Sequence, residues 1–155
     1  MAVTNRDRIG QVMDALKEGL SPFAAREIKH RFGNSTLSEA HKVLGPAAVP
    51  NEESLKSLDA SALLKLMWDT WNDVFRNILG HEERSIVSEL RNARNNWAHQ
   101  ESFSTDDTYR ILDSAERLLN AVSSDKSKEI IDNNENLFSK AIHLKKNSGK
   151  GKAVI

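Results

Sequence analysis

Apolar residues recur every three or four positions along most of this chain, the spacing of helices that bury one face. Residues 5–20 place Ile9, Val12, Met13, Leu16 and Leu20 on one stripe. The segment "SPFAAREIKHRFG" follows, and it predicts a second helix with Ser21 as N-cap, Pro22 at the first helical position and Gly33 as the stop. "LSEAHKVL" reads as a shorter helix ended by Gly45 and Pro46, and "GPAAVPNEES" as a loop. The strongest pattern is "DASALLKLMWDTWNDVFRNILG", with Leu63, Met67, Trp71, Val74, Phe75 and Ile78 on one face, Asp59 as cap and Gly80 as end. Residues 82–98 give a helix with Ile86, Leu90, Ala93 and Trp97 as its stripe.

After "QESFS", Thr105 is placed to cap a helix whose stripe is Ile111, Leu112, Ala115, Leu118, Leu119 and Val122, with Asp106 and Asp107 at its positive end. A more polar last helix, "KSKEIIDNNENLFSKAIHL", precedes the patternless tail "KKNSGKGKAVI". No segment alternates with period two, and no internal repeat is visible. The expected fold is all-α, an up-and-down bundle of five or six helices. A single domain is expected over residues 1–145, with its core in residues 59–123 and a disordered tail or the start of a linker at 146–155.

Charge and composition narrow this picture modestly. The 22 basic and 22 acidic residues cancel, so bulk charge does not advertise a nucleic-acid partner, although a local patch is enough for one. The sequence itself shows no strong basic patch. Without cysteine, a disulfide framework or a thiolate zinc site is impossible. The first 20 residues mix charged and apolar positions, which argues against a signal peptide or a membrane span and leaves the cytoplasm as the expected location.

Most candidate chemistry has a plainer explanation. His30, His41, His81, His99 and His143 are scattered, and no pair has metal-ligand spacing. "HEERS" begins like a zinc-protease helix, but Ser85 stands where the second histidine must be. "SGKGKA" lacks the glycine spacing of a phosphate loop. Trp71 shares the apolar stripe; Trp68 lies at its boundary, where it can be half-buried or face another subunit. No metal or other cofactor is expected.

The end of the helix at residues 82–98 is different. It reads "RNNWAHQ". On a helical wheel Asn92, Asn95 and His99 fall within about 60° of one another, while Arg94 lies roughly 140° from His99. Asn96 sits at the edge of this polar face and Arg91 within reach. Histidine exchanges protons near neutrality, and arginine grips phosphate through its planar fork. Such a set suits cleavage of an RNA phosphodiester without metal, with a 2′,3′-cyclic phosphate as product. Arginine and histidine are also favoured near a helix C-terminus by the dipole alone. The spacing by itself leaves both readings open.

The stretch "LRNARNNWAHQESFSTDDTYRILDSAERLLNAV" resembles the HEPN superfamily, whose signature is Arg, four to six residues, then His, with a polar residue directly after the arginine. Here that maps onto Arg94, Asn95 and His99. The preceding "LMWDTWNDVFRNILGHEERSIVSELRNARNNWAHQ" is similar to the Swt-type branch, closely over residues 63–122 and more loosely back to residue 5. That branch often forms the N-terminal module of large bacterial ATPases and helicases linked to phage defence.

The resemblance implies a helical bundle that forms a homodimer with both motif copies in one cleft. It also implies metal-independent endoribonuclease activity, with Arg94 and His99 as the reacting pair, Asn95 orienting them, and Arg91, Asn92 and Asn96 binding RNA. Other members have lost catalysis and serve in dimerisation, RNA sensing or nucleotide binding. One branch carries a modified tyrosine two positions after the histidine. Glu101 stands there in this chain, so that arrangement is not expected.

Overall fold

The computed structural model describes residues 3–122, 125–134 and 137–138, and every regular element among them is helical. The α-helices are α1 (Asn5–Phe32), α2 (Thr36–Leu44), α3 (Ala60–Asp69), α4 (His81–Ala98), α5 (Thr105–Val122) and α6 (Asp125–Asn133). No helix of the described residues is long and apolar enough to cross a membrane.

The first two expected helices are one. Thr4 and Asp7 close a reciprocal cap at the start of α1, with Asp7 N–H donating to Thr4 Oγ1 (3.0 Å) and Thr4 N–H to Asp7 Oδ2 (3.1 Å). Those bonds, led by the one from the Thr4 backbone, hold the Asp7 carboxyl below its ordinary pKa. The helix then runs through Pro22, so Ser21 is not a cap but a buried helical residue. An interior proline removes one backbone hydrogen bond and costs about 3 kcal/mol. The apolar stripe explains why the helix continues: Leu16, Leu20, Phe23, Ala24 and Ile28 are all buried across the junction, whereas Pro22 faces solvent. Gly33, at φ 54°, ends the helix as its position suggests.

The strongest apolar run also departs from a single helix. Thr70 Oγ1 donates back to the Leu66 carbonyl at 2.6 Å, and α3 stops at Asp69. The next turn, Trp71–Phe75, is wound as a π-helix, with Arg76 N–H donating to the Trp71 carbonyl at 2.8 Å. The extra residue in that turn rotates the buried face onward by one position. Ile78, expected in the core, is therefore 47% exposed, and Leu79 is buried in its place. Gly80 serves as the N-cap of α4 rather than only as an end. The expected loop after α2 contains a short 3-10 turn over Glu52–Ser57 that buries Leu55.

One core joins the buried faces of α1, α3, α4 and α5, and takes in Ile130 of α6 together with Leu137 and Phe138. At Gly19 the side chain of Leu119 occupies the place a Cβ would take, so α1 and α5 approach closely there. Helix α4 packs against α3 on one flank and α5 on the other. The cap of α5 is Ser104, not Thr105: its Oγ accepts from Asp107 N–H at 3.0 Å. The remainder of the expected last helix, His143 and the expected tail at 146–155 lie outside the described residues.

Because Pro22 is exposed, Pro22→Ala should restore the N–H that the Glu18 carbonyl lacks without disturbing packing. The unfolding free energy in urea should rise by about 1–2 kcal/mol, less than the full proline cost because the unfolded chain also gains freedom. An unchanged midpoint would show that the turn at Glu18 is satisfied in another way.

Candidate functional site

The C-terminus of α4 is built as a tight cap. His99 N–H donates to the Asn95 carbonyl (3.0 Å), Gln100 N–H to Trp97 (3.1 Å) and Glu101 N–H to Asn96 (3.0 Å). The last two bonds form a Schellman motif, which requires a left-handed residue just past the cap. That residue is Gln100, at φ 60°, where glycine is the usual choice. The helix thus keeps its regular form up to Ala98 and does not loosen before His99. His99 is the C-cap, and its ring is exposed.

Trp97 fixes where this end sits. Its Nε1 donates to the Arg6 carbonyl at 3.2 Å, and the Arg6 guanidinium lies 5.2 Å from the ring centroid. The ring lies against α1 over Gly10, where even a Cβ would meet it only at ordinary van der Waals distance. Trp97 is half-buried in this clamp rather than fully in the core stripe. Asn5 reinforces the clamp by donating from Nδ2 to the Phe103 carbonyl at 3.1 Å, which ties the α4–α5 loop to the start of α1.

The polar residues that the helical wheel groups together divide between two depressions. Asn92 and Asn96 line a cleft of about 390 Å³ on the α5 side, with Glu101, Ser102, Phe103 and Asp107. Arg91, Arg94 and Asn95 line a small recess of about 40 Å³ on the α3 side, with Ser61 and Lys65. His99 lines neither. Within one chain Arg94 and His99 make no hydrogen bond among the described residues, as their separation on the wheel implies.

Arg94 is half-buried, and no carboxylate pairs with it among the described residues. The acids that could have locked it are elsewhere: Glu82 pairs with Arg117, and Glu101 opens onto the Asn-lined cleft. Sequence reasoning missed Ser61 and Lys65 as neighbours of Arg94. Their four-residue spacing, continued by Trp68, marks one face of α3 and is the signal that would have found them. Among the described residues no cluster of three or more His, Asp or Glu side chains could hold a metal ion.

With the bundle and motif in place, the sequence comparison is decisive for the family. The sequence model of the Swt1-like HEPN family matches residues 11–123, and the chain belongs to that family. The match begins in the second turn of α1 and runs through the end of α5. No curated protein and no solved structure matches the chain.

The left-handed position gives a direct check on the helix end. Gln100→Gly should raise unfolding free energy by about 1 kcal/mol, since an L-residue pays about 1–2 kcal/mol for that conformation. His99→Ala should change it by less than about 0.5 kcal/mol, because the ring is exposed. A large loss from His99→Ala in urea unfolding would make the histidine part of the scaffold.

Proposed function

We propose that this chain is a metal-independent endoribonuclease whose site forms from two copies of the α4 C-terminus. The observation that carries the reading is the Arg94–Asn95–His99 motif, intact within a Swt1-like HEPN domain, with His99 exposed and Arg94 free of any carboxylate among the described residues. In the reaction His99 takes the proton from a ribose 2′-hydroxyl. The 2′-oxygen attacks the adjacent phosphorus, the 5′-oxygen bond breaks, and the departing oxygen is protonated by the partner's copy of the histidine or by water. The upstream fragment ends in a 2′,3′-cyclic phosphate, and the downstream fragment leaves with a 5′-hydroxyl. Arg94 holds the phosphate as charge builds on it, and Asn95 orients the pair.

Pairing across a two-fold axis is part of this proposal, because it brings the histidine of one copy towards the arginine of the other. Arg91 then extends the phosphate contacts. Asn92 and Asn96 offer amides to bases from the neighbouring cleft. The setting would be cytoplasmic phage defence, with an ATPase or helicase module as partner in a longer protein.

One observation favours a second reading. Arg94 and His99 do not meet within a single chain, so a form that fails to pair would be catalytically silent. It would then act as a dimerisation, RNA-sensing or nucleotide-binding module. The two readings separate on structured RNA incubated in EDTA. The wild-type dimer is expected to leave cyclic phosphate ends, and Arg94→Ala or His99→Ala to reduce cleavage by at least about 100-fold. Undiminished cleavage by either variant, or none by a folded wild-type dimer, would overturn the ribonuclease reading.

A further inference from the structure

Helix α4 divides most of its charges by flank. On the α5 side Glu89 pairs with Arg110 at 2.8 Å and Glu82 with Arg117, while Glu83, the remaining acid of the helix, lies beside Gly80 at the N-cap. On the α3 side lie Arg84, Ser88, Arg91 and Asn95, whose spacing stacks them in one row, with Arg94 beside its end. Facing that row is a matching one on α3, formed by Ser61, Lys65 and Trp68. The two rows run antiparallel. At one end the Arg84 guanidinium lies 4.8 Å from the Trp68 ring centroid. At the other, Ser61 and Lys65 share a recess with Arg91, Arg94 and Asn95.

The cations of this face are not neutralised evenly. Lys65 is committed, with Nζ donating to the Val43 carbonyl (2.8 Å) and to Asp69 (3.3 Å). Arg91 and Arg94 have neither an ion pair nor a hydrogen bond among the described residues. Arg84 holds its Nε buried without an acceptor. From Arg84 to Asn95 the row covers about 16 Å of helix axis, at about 1.5 Å per residue. That length suits two or three successive phosphates of an extended strand.

We infer that the α3–α4 face is a track for the backbone of single-stranded RNA, leading to Arg94. Arg84 and Arg91 each contact one phosphate, and the half-buried Trp68, with the Arg84 guanidinium over its ring, offers apolar surface for a base to pack against. The occupant follows from complementarity: three arginines without carboxylates, one aromatic beside them, and continuity with the recess of the motif arginine. The inference rests on RNA as substrate, but it concerns residues outside the reacting pair and is read by binding alone.

The test uses the full chain carrying His99→Ala, so that cleavage plays no part. Anisotropy of a labelled 12-nucleotide single-stranded RNA is followed across a potassium chloride series. Each phosphate contact adds about 0.7 to the slope of log affinity against log salt for a single strand. Arg84→Gln and Arg91→Gln should each lower that slope by about 0.7 and weaken binding roughly three- to tenfold at moderate salt. Trp68→Leu should weaken it about tenfold with a smaller change in slope. Should that variant fail to fold by circular dichroism, the two arginine variants still decide the matter. Arg117→Gln, on the paired flank, should bind as the parent does.

RNA binding whose slope is untouched by Arg84→Gln and Arg91→Gln would overturn the track, as would no binding at all. Displacement of the RNA by poly-L-glutamate at equal affinity per charge would assign the face to an acidic protein instead. Cleavage assayed separately on the otherwise unaltered chain tells failure of the track from failure of the ribonuclease reading.

Discussion

The bundle is organised against the buried side of α1. A stripe from Ile9 to Ile28 packs on the helices that follow, and it does so without interruption because the helix survives Pro22. Were the chain to break there, the N-terminal and C-terminal halves of the stripe could not hold one line. The Trp97 clamp depends on that line, since it grips Arg6 and Gly10 in the first turns of α1. The end of α4 is therefore positioned by a helix distant in sequence, and the exposed histidine beyond it has a firm base.

The same constraint explains why the motif is split in one chain. With Trp97 turned towards α1, Arg94 must face α3, and the amides of Asn92 and Asn96 must open towards α5. His99 lies past the last regular turn. A histidine on a yielding coil could fold back to Arg94. One held by a Schellman cap has its backbone fixed, and under the ribonuclease proposal a second copy would supply the other half of the pair.

Much of the fold was legible in the periodicity of apolar residues. The boundaries of α4, the stripe of α5 and the stop at Gly33 follow from local chemistry that nothing distant overrides. The misreadings along α1 and after α3 share one cause. Pro22, the π-wound turn and Ile78 were decided by tertiary packing, which outweighs a local proline cost and tolerates an inserted residue when core contacts are kept. At the candidate site, the motif of Arg94, Asn95 and His99 is visible in the sequence. The placing of Arg94 and Asn95 beside α3 and of Asn92 and Asn96 beside α5 was not, because it depends on what those two helices bring alongside. Lys65 and Ser61 carry no motif and became visible only as neighbours.

The division of charge across α4 has a consequence that an isoelectric point of about 7.0 conceals. A neutral molecule whose cations are compensated on one flank and bare on the other carries an electric dipole moment. In a field gradient such a body turns before it is drawn in. A polyelectrolyte meeting this domain would orient it during diffusion, presenting the bare flank first, and that alignment would fade as added salt shortens the reach of the field.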